Sequence, residues 1–355
     1  MNVGIVGGGV NGLAIAWQLL KDGHKVTLFE KNKLMSATSS NSSKLLHGGL
    51  RYLENFEFGL VFEALKERDA WLKMKTDLVH PIRLTYPIYE NARRKKWWVG
   101  LGVWLYKLMA ARSPMPSPRW VDKRKIVKLC PALKKSQLIG GYQFYDAQMD
   151  DYALGSWIVE QSINLGLIVL EDTEINQIRT TGELIDISGN VYKFDRIINA
   201  AGPWSENLLQ SSKISSPFKL DLVRGSHLIV NRYCDQAYML EVPNKKRIFF
   251  VLPWKNKMLI GTTEIRQRLN EKVECSREEM MYLINSYNYW MQDPISEDDV
   301  QESFAGLRPL ILSSNSPSLA TREYAIFKNK ALINIYGGKW TTCRALAKKV
   351  ARKIN

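Results

Sequence analysis

The start of the chain contains a glycine-rich pattern that restricts the fold more than any other feature. The stretch NVGIVGGGVNGLAIAWQLLKDGHKVTLFEK predicts a short apolar strand over 3–6, a helix over about 10–21 and a second strand over 25–29. A strand, a helix and a second strand in this order are typical of a βαβ unit with a parallel sheet. We therefore expect an α/β fold.

Three glycines and one acid in this unit predict a dinucleotide-binding site. Gly7 permits the tight turn after the strand, and Gly9 lets backbone N–H groups reach a pyrophosphate at the positive end of the helix. Gly12 allows the helix to pack closely on the strand, and Glu30 can accept hydrogen bonds from ribose hydroxyls. A purely structural glycine turn is the alternative, and the pattern does not distinguish NAD from FAD.

The remaining chain returns repeatedly to strand-like segments. Apolar runs over 167–179, 191–199 and 217–265 predict strands, and a helix is expected over about 277–291. The last segment, KWTTCRALAKKVARKI, predicts a helix with apolar residues at four-residue spacing. The first and last elements thus look like one Rossmann-like nucleotide-binding domain, interrupted by sheet-rich insertions.

Charge and cysteine content restrict the class of protein. The chain has 50 Lys and Arg against 35 Asp and Glu, a net charge of +15, which favours anionic partners such as phosphorylated substrates, acidic lipids or nucleic acid. The four cysteines are scattered, without CxxC, and none of the four histidines pair at ligand spacing, so we expect no disulfide framework and no metal site. We also expect no signal peptide and a cytoplasmic location.

A basic, tryptophan-rich segment raises the question of a membrane. ARRKKWWVGLGVWLYKLMAAR, residues 92–112, has too short an apolar run to span a bilayer. Tryptophans beside cations suit the surface of an anionic bilayer, which would place the protein peripherally on the cytoplasmic face of the inner membrane. The alternatives are a helix whose tryptophans belong to the core, or a surface on which nucleic-acid bases stack.

Several motifs occur in one order and together resemble a known family. They are SSKLLHGGLRYLE (42–54), VRGSHLIV (223–230), FAGLRPL (304–310), TREYAI (321–326) and GGKWTTCRALA (337–347). With the N-terminal glycines, they resemble the FAD-dependent glycerol-3-phosphate dehydrogenases of the D-amino-acid-oxidase-like flavoproteins. The resemblance spans nearly the whole chain.

The resemblance implies FAD as the cofactor and a substrate domain built on an antiparallel sheet. The FAD-binding domain would comprise 1–75, 150–215 and 326–355, and the substrate domain 76–149 and 216–325. Besides the three glycines and Glu30, the residues that the resemblance places at the cofactor are Val10, Asn11, Lys31, Thr38, Ser39, Ser40, Ser43, Lys44, His47, Gly48, Ala201, Gly202, Gly338, Lys339, Trp340, Thr341 and Thr342.

The resemblance also implies oxidation of sn-glycerol 3-phosphate to dihydroxyacetone phosphate, with a quinone as the electron acceptor. The implied substrate-binding residues are Arg51, Tyr52, Arg308, Arg322 and Lys339, and the implied catalytic residues are His227, Arg308 and Lys339. Arginine forks match phosphate oxygens, and histidine titrates near neutral pH, so His227 is the candidate acceptor of the hydroxyl proton. Lys339 or a water is the alternative acceptor.

Gly48 and Gly49 lack side chains, so another group can approach their backbone closely. The resemblance implies that this group is the flavin. Structural interpretations remain open: a hydrogen-bonding role for His47 or His227, a surface position for Arg308, and a core position for Tyr52. Other functions also remain open, namely a flavoenzyme acting on another hydroxy acid, sugar phosphate or amine, a catalytically silent flavin-binding scaffold, and a flavin-containing nucleic-acid-binding protein.

Two departures from the family pattern affect the substrate more than the cofactor. The chain stops just after the helix that follows GGKWTT, whereas many relatives continue into a C-terminal helical domain. Trp340 also occupies a position at which relatives commonly have a smaller apolar residue.

Overall fold

The computed structural model describes residues 1–75, 77–110, 113–312 and 324–354, with the side chain of Arg51 excepted. Within these residues the α-helices are α1 (Val10–Lys21), α2 (Phe58–Met74), α3 (Lys96–Met109), α4 (Lys123–Leu129), α5 (Asp151–Ile163), α6 (Ser205–Ser211), α7 (Arg277–Trp290) and α8 (Cys343–Ile354).

The strands of the described residues form three sheets. They are β1 (Asn2–Val6), β2 (Lys25–Phe29), β3 (Leu45–Leu46), β4 (Val79–Tyr89), β5 (Arg119–Asp122), β6 (Leu138–Met149), β7 (Ile168–Leu170), β8 (Ile175–Arg179), β9 (Glu183–Asp186), β10 (Val191–Lys193), β11 (Arg196–Asn199), β12 (Leu220–Val230), β13 (Ala237–Glu241), β14 (Ile248–Trp254), β15 (Lys257–Gly261), β16 (Ile265–Arg266), β17 (Val300–Ile311), β18 (Tyr324–Asn329) and β19 (Leu332–Gly337).

The first sheet is the predicted nucleotide-binding sheet. Its order is β18-β19-β11-β1-β2-β7, and every pair is parallel except that of β18 with β19. The carboxyl ends of β1, β2, β11 and β19 therefore meet at one edge, where ligands bind in sheets of this class. This confirms the predicted α/β class and the βαβ unit of the first thirty residues.

Each face of this sheet is covered, as a parallel sheet requires. Helices α1, α5 and α8 cover one face, and Leu13, Ile158 and Leu346 belong to the core cluster between them and the sheet. The small antiparallel sheet β10-β9-β8 and helix α6 cover the other face, in a cluster that includes Ile178 and Leu208. The last helix is thus held against the first.

The second large sheet is mixed but mainly antiparallel. Its order is β16-β12-β15-β14-β13-β4-β6-β3, with β17 beside β12 and β5 beside β6. Helix α7 packs on one face in a core that includes Leu283 and Tyr287, while α2 and α3 pack on the other with Leu65 and Val103. This confirms the additional antiparallel sheet that the resemblance implied.

The sequence did not reveal strand β4. Its two prolines, Pro81 and Pro87, indicated a break, yet the strand runs through both. Proline is tolerated here because β4 pairs with β13 at Leu84 and Thr85 alone, so neither proline occupies a position with a partner strand on both sides. The predicted domain boundaries remain a prediction, although β3, within 1–75, pairs with β6 of the second sheet.

Helix α3 carries the tryptophans on its outer side. Trp97 is 67% exposed, Trp104 is 53% exposed and Leu108 is 71% exposed. The interpretation of these tryptophans as core residues is therefore wrong, because Val99, Val103 and Tyr106 supply the buried face instead. Among the residues that the structure describes, none lies in a helix long and apolar enough to cross a bilayer.

Candidate active site

A cavity of about 420 Å³ lies between the carboxyl edge of the first sheet and one face of the second. Cofactors and small ligands commonly occupy clefts of this size in such a position. The predicted site residues that line it are Gly7, Gly9, Val10, Asn11, Glu30, Lys31, Thr38, Ser39, Ser43, His47, Tyr52, Ala201, Gly202, Arg308, Gly338, Lys339, Trp340 and Thr341.

The turn between β1 and α1 can be made only with glycine. Gly7 has a φ of +109°, and a Cβ there would lie 2.5 Å from the carbonyl oxygen of Ala200. A Cβ on Gly12 would collide with the carbonyl oxygen of Gly7. Gly9, the N-cap of α1, has no side chain to cap the helix, and it lines the cavity together with Val10. The positive end of α1 thus faces the cavity, where the N–H of Val10 donates to Ser39, and it can attract an anionic group.

Glu30 is oriented by the backbone beside this turn. Its Oε2 accepts a hydrogen bond from the N–H of Gly8 at 2.7 Å, and its Oε1 accepts one from Asn32 at 3.0 Å. Each carboxylate oxygen retains capacity to accept a further hydrogen bond, which is what a ribose hydroxyl requires. Nearby, the ammonium of Lys31 lies 3.9 Å from the centre of the Trp204 ring, and both residues line the cavity.

The segment after β2 forms hydrogen bonds to elements of both large sheets. The hydroxyl of Ser39 accepts a hydrogen bond from the N–H of Val10 at 2.9 Å, and the backbone carbonyl of Ser39 accepts one from Nε1 of Trp340 at 2.6 Å. Thr38 donates to the carbonyl of Leu307 in β17 at 2.7 Å. The position of Trp340 is therefore set by a specific hydrogen bond as well as by burial.

The C-terminal wall lies against α1. The amide of Asn11 donates to the carbonyl of Gly337 at 3.0 Å, and a Cβ on Gly338 would lie 2.6 Å from that amide nitrogen. The buried Oδ1 of Asn11 has no partner among the described residues. Thr341 donates to the carbonyl of His47 at 3.3 Å. The glycine turn, the helix end that faces the cavity, Glu30 and this unpaired oxygen together fit a dinucleotide.

His227 lies behind the cavity wall and contacts it through Ser43. Nε2 of His227 lies 2.8 Å from the hydroxyl oxygen of Ser43, and the imidazole stacks on Phe304 with a centroid separation of 5.0 Å. Burial, and then the charges of Arg308 and Lys44, lower the pKa of His227 well below its ordinary value. The imidazole is therefore neutral at neutral pH, and its surroundings in the free protein disfavour the protonated form.

Arg308 lies beside this pair, on β17. Its Nη2 donates to the hydroxyl of Thr262 at 2.6 Å, and both residues line the cavity. A Cβ on Gly225 would collide with the guanidinium, so glycine at that position makes room for the arginine. Across the cavity, the ammonium of Lys339 lies 4.7 Å from the centre of the Tyr52 ring.

The structure shows a packing reason for glycine at position 48, while its predicted contact with the cofactor stays a prediction. A Cβ on this residue would lie 2.6 Å from the hydroxyl of Tyr106 and 2.6 Å from a methyl carbon of Leu65, so the space is filled by the protein's own side chains. The N–H of Gly48 donates to the Tyr106 hydroxyl at 2.7 Å, which donates to Asp146 at 2.7 Å. Arg68 completes this buried network with an ion pair to Asp146 at 2.9 Å. The glycine at 48 therefore serves packing.

Other predicted residues lie outside the cavity wall. Among the described residues these are Gly12, Ser40, Lys44, Gly48, His227 and Thr342. Lys44 is 7% exposed and forms a buried ion pair with Asp151 at 2.7 Å. The side chain of Arg51 and the whole of Arg322 lie outside the described residues, so their predicted contacts stay predictions.

Sequence reasoning missed several residues that the fold brings to the cavity. Thr262 and Glu264 follow β15, Asp146 lies in β6, and Trp204 follows β11. Thr262 and Glu264 stand in GTTE directly after an apolar strand, which is a signal for a strand-end site. Asp146 gives a weaker signal, an acid within a mainly apolar strand.

The comparisons with known proteins agree with this geometry. Residues 2–353 match the family model described as FAD dependent oxidoreductase. The chain belongs to this family. Its members' cofactor, FAD, is therefore the dinucleotide that the cavity accepts.

Three curated relatives align with almost the whole chain. The aerobic glycerol-3-phosphate dehydrogenase of Escherichia coli K12 is 34% identical over 369 residues, which are 99% of this chain and 72% of that protein. A glycerol-3-phosphate dehydrogenase of Mycobacterium leprae is 33% identical, over 98% of this chain and 61% of its own length. D-erythritol 1-phosphate dehydrogenase of Brucella abortus is 34% identical, over 99% of this chain and 72% of its own length.

Solved structures share the fold. The glycerol-3-phosphate dehydrogenase of Bacillus halodurans complexed with FAD superposes with a TM-score of 0.79 at 23% identity, covering 100% of this chain and 64% of that one. The L-alpha-glycerophosphate oxidase of Mycoplasma pneumoniae with FAD bound superposes with a TM-score of 0.80 at 19% identity, covering 100% and 94% of the two chains. The chain therefore spans roughly two thirds of the length of several relatives and nearly all of others.

Proposed function

We propose that this FAD-dependent oxidoreductase oxidises the secondary hydroxyl of sn-glycerol 3-phosphate to the ketone of dihydroxyacetone phosphate. The observation that carries the proposal is that Arg308, Thr262 and Ser43 line one cavity, with the imidazole of His227 directly behind Ser43. The similarity to two glycerol-3-phosphate dehydrogenases supports the same substrate.

The cofactor would be held by the residues of the dinucleotide wall. Gly7, Gly9 and Val10 would face the pyrophosphate at the end of α1, and Glu30 would bind the ribose. The wall from Gly338 to Thr341 would adjoin the redox-active ring. When bound, FAD supplies the acceptor for the hydride that leaves the alcohol carbon.

Arg308 and Thr262 would bind the phosphate group. A phosphomonoester carries nearly two negative charges, and a guanidinium can donate two hydrogen bonds to its oxygens. Thr262 already accepts a hydrogen bond from Arg308 at 2.6 Å, which orients the guanidinium at the cavity. The ammonium of Lys339 adds a second positive charge on the same cavity, and Arg51 and Arg322 are the further predicted contacts.

Ser43 and His227 would remove the hydroxyl proton. The substrate hydroxyl would donate to the hydroxyl oxygen of Ser43, and Ser43 would pass its own proton to Nε2 of His227 over 2.8 Å. The charges of Arg308 and Lys44 disfavour the protonated imidazole in the free protein. A bound phosphate dianion would offset the charge of Arg308, so substrate binding would itself strengthen the base.

A longer polyol phosphate is a second candidate substrate, because of Glu264. This carboxylate lines the cavity two residues after Thr262, and Nε of Arg247 lies 3.4 Å from its Oε2. It can accept hydrogen bonds from hydroxyls that glycerol phosphate lacks. D-erythritol 1-phosphate is such a substrate, and the relative that uses it is as similar as the glycerol-3-phosphate dehydrogenases.

We further propose that the electrons pass to a quinone at an anionic membrane surface. Helix α3 presents Trp97, Trp104 and Leu108 to the outside, and its N-terminal end follows the cations of ARRKK. Apolar side chains beside cations bind the interface of anionic bilayers, where each cation adds about 1 kcal/mol. The protein would then act on the cytoplasmic face of the inner membrane.

Anaerobic bleaching of the flavin by candidate substrates tests the reaction. We expect sn-glycerol 3-phosphate to reduce the flavin of the holoenzyme, and the matched comparison is D-erythritol 1-phosphate with glycerol as the unphosphorylated control. The Arg308→Ala variant should weaken binding of the phosphorylated substrate by roughly 10- to 100-fold, since a hydrogen bond to a charged group contributes about 1.5–3 kcal/mol. A flavin that stays oxidised with sn-glycerol 3-phosphate, and bleaches with another compound, contradicts the proposal.

A further inference from the structure

Ser43, the serine that contacts His227, lies in a segment that is held by one buried carboxylate. This carboxylate belongs to Asp151, the fully buried first residue of α5. Both chain neighbours of Ser43 bind it, Ser42 from one side and Lys44 from the other. Asp151 does not line the cavity, so any effect that it has on the reaction passes through these neighbours.

The contacts on the two sides of Ser43 use different oxygens of the carboxylate. Oδ2 of Asp151 accepts hydrogen bonds from the hydroxyl of Ser42 at 2.6 Å and from the N–H of Ser42 at 3.2 Å. Oδ1 of Asp151 forms an ion pair with the ammonium of Lys44 at 2.7 Å. A side-chain amide has only one acceptor oxygen, so an asparagine here could keep the contacts on one side and not on both.

The backbone of this segment has a conformation that its contacts must maintain. Lys44 has a φ of +57°, in the left-handed region that residues other than glycine seldom adopt. Its ammonium donates to the carbonyl of Ser40 at 2.6 Å, and its N–H donates to the hydroxyl of Ser42 at 3.0 Å. The N–H of Met149, at the end of β6, donates to the carbonyl of Lys44 at 2.9 Å. Strained backbone persists where surrounding contacts fix it, and here they include the ion pair with Asp151.

The same ion pair offsets a positive charge near the imidazole. The ammonium of Lys44 lies 5.0 Å from the centre of the Phe304 ring, and this ring stacks on His227. Burial, and then the charges of Arg308 and Lys44, lower the pKa of His227. A carboxylate 2.7 Å from the ammonium of Lys44 opposes the last of these effects. The ionised Asp151 therefore makes His227 a stronger base than an unpaired lysine in this place would allow.

We propose that Asp151 is a positioning residue, which holds Ser42 and Lys44 so that the Ser43 hydroxyl stays on Nε2 of His227 and faces the cavity. The inference rests on the proposed function, because it concerns the proton route through Ser43 and His227. In that route the substrate hydroxyl gives its proton to Ser43 as Ser43 gives its own to the imidazole. Asp151 itself neither gains nor loses a proton.

Flavin reduction in the Asp151→Asn holoenzyme tests the proposal. Anaerobic rapid mixing with sn-glycerol 3-phosphate gives the limiting rate per bound flavin and the half-saturating concentration. Asp150→Asn is the matched control, because Asp150 also begins α5 and forms an ion pair, with Lys255 at 2.8 Å. Its side chain caps the helix at the N–H of Ala153, and asparagine caps helices equally well. Ser42→Ala is a second variant, which removes one contact of Asp151 and leaves the buried ion pair in place.

We expect Asp151→Asn to lower the limiting rate by roughly tenfold or more, because a small misplacement of a reacting group slows the step strongly. The half-saturating concentration should stay near the wild-type value, since Arg308, which would bind the phosphate, is unchanged. Ser42→Ala should lower the rate by about threefold or more, the loss of a single hydrogen bond. Asp150→Asn should react as the wild type does.

The same changes made in the Ser43→Ala variant show whether the effect passes through Ser43. A residue that acts only by positioning the Ser43 hydroxyl has nothing to position once that hydroxyl is gone. Asp151→Asn and Ser42→Ala should therefore leave the rate of Ser43→Ala nearly unchanged, which is the non-additivity expected of groups that act as a unit. A general loss of stability would instead slow both backgrounds.

The proposal is overturned if Asp151→Asn reduces its flavin at the wild-type rate, if Asp150→Asn slows the rate as much, or if Asp151→Asn slows Ser43→Ala by the same factor as wild type. Should Asp151→Asn fail to fold, Ser42→Ala decides the matter by the same comparison of the two backgrounds.

Failure of the proposed function gives a different result. A slow Ser43→Ala beside a fast Asp151→Asn contradicts this inference alone, whereas a fast Ser43→Ala contradicts the proton route and this inference with it. Reduction of the wild-type flavin by D-erythritol 1-phosphate but not by sn-glycerol 3-phosphate contradicts the substrate alone, and the variants are then compared with the former. A wild-type flavin that neither compound reduces contradicts both proposals.

Discussion

The hydroxyl oxygen of Ser43 lies 2.8 Å from Nε2 of His227, and Ser43 lines the cavity whereas His227 is buried behind it. A residue that is 1% exposed cannot meet a substrate directly without rearrangement. The serine hydroxyl is therefore the group through which the imidazole can act on the cavity.

The first prediction concerns this pair. Ser43→Ala should slow anaerobic flavin reduction by roughly 100-fold or more, because a positioned general base contributes about 10²- to 10⁴-fold to rate. The FAD content should stay near wild type, since the change removes one oxygen. Rapid-mixing absorbance measures the rate, and Ser36→Ala, at an exposed position outside the cavity wall, serves as the control. A wild-type rate in Ser43→Ala would mean that the proton leaves by another route.

The second prediction concerns pH. The reaction needs neutral His227, so the rate falls as pH drops through its pKa, and that pKa is lowered first by burial and then by Arg308 and Lys44. Replacing Arg308 by Met removes a positive neighbour and raises the pKa of His227. The acid limb of kcat/KM should then move to higher pH.

Arg308→Lys is the control for this measurement, because it retains the charge while losing the guanidinium. Arg308→Met and Arg308→Lys should both bind the phosphorylated substrate less tightly, which lowers kcat/KM at every pH. The comparison is therefore of the pH at which the acid limb falls, not of the size of kcat/KM. Equal positions in the Met and Lys variants would show that His227 does not set the limb.

The third prediction separates two reasons for glycine. Gly7 and Gly23 both have positive φ, but a Cβ at Gly7 would lie 2.5 Å from the Ala200 carbonyl oxygen whereas one at Gly23 meets nothing within 4 Å. Gly23→Ala should cost about 1–2 kcal/mol of stability through backbone strain alone and retain FAD. Gly7→Ala should lose FAD, as measured by visible absorbance of the purified protein. Full flavin content in Gly7→Ala would contradict the assigned turn.

The fourth prediction concerns the network behind Gly48. Tyr106→Phe removes the hydroxyl that accepts from the N–H of Gly48 and donates to Asp146. The N–H of Gly48 and the carboxylate of Asp146 then each lose a buried hydrogen-bond partner. This should lower the free energy of unfolding by about 1–3 kcal/mol. Urea denaturation measures the loss, and Tyr152→Phe, at a tyrosine that is 58% exposed, should be nearly neutral. An unchanged midpoint in Tyr106→Phe would show that water replaces the hydroxyl.

The fifth prediction concerns the membrane. Replacing Trp97 and Trp104 together by Ser should weaken binding to anionic vesicles by roughly tenfold or more, since burial of a large apolar side chain contributes about 1.5–3 kcal/mol. Binding should also weaken as salt rises, because the cations near α3 are screened. Co-sedimentation measures both effects. The control replaces Tyr233 and Tyr289 by Ser, because these side chains are 76% and 55% exposed and lie outside α3. If both double variants lose vesicle binding equally, α3 is not the membrane contact.

The residues that the sequence predicts for the cofactor half of the site come together in one cavity because most of them are local in the chain. Gly7, Gly9, Gly12 and Glu30 lie within one βαβ unit, whose spacing fixes their relative positions before any long-range contact forms. The motif GGKWTT, which the resemblance assigns to the cofactor, lines the same cavity through residues 337–341.

The substrate half depended on contacts between distant segments. Ser43 and His227 are 184 positions apart, and no periodicity in either segment indicates that a buried strand residue would reach the cavity through a loop serine. Strand β4 could not be predicted because it contains Pro81 and Pro87. The strand accepts these prolines because only a short part of it pairs with β13, which the sequence does not indicate. The packing role of Gly48 could not be predicted for the same reason, since Tyr106 and Leu65 come to it from two helices that follow in the chain.

The bond between Asn11 and Gly337 has a consequence for how the protein acquires its cofactor during synthesis. It joins residues separated by 326 positions, both of which line the dinucleotide cleft. While a ribosome is still making the later segment, the nascent N-terminal unit presents half a cleft. Tight capture of the flavin nucleotide must therefore wait until translation has delivered Gly337 and the turn after it.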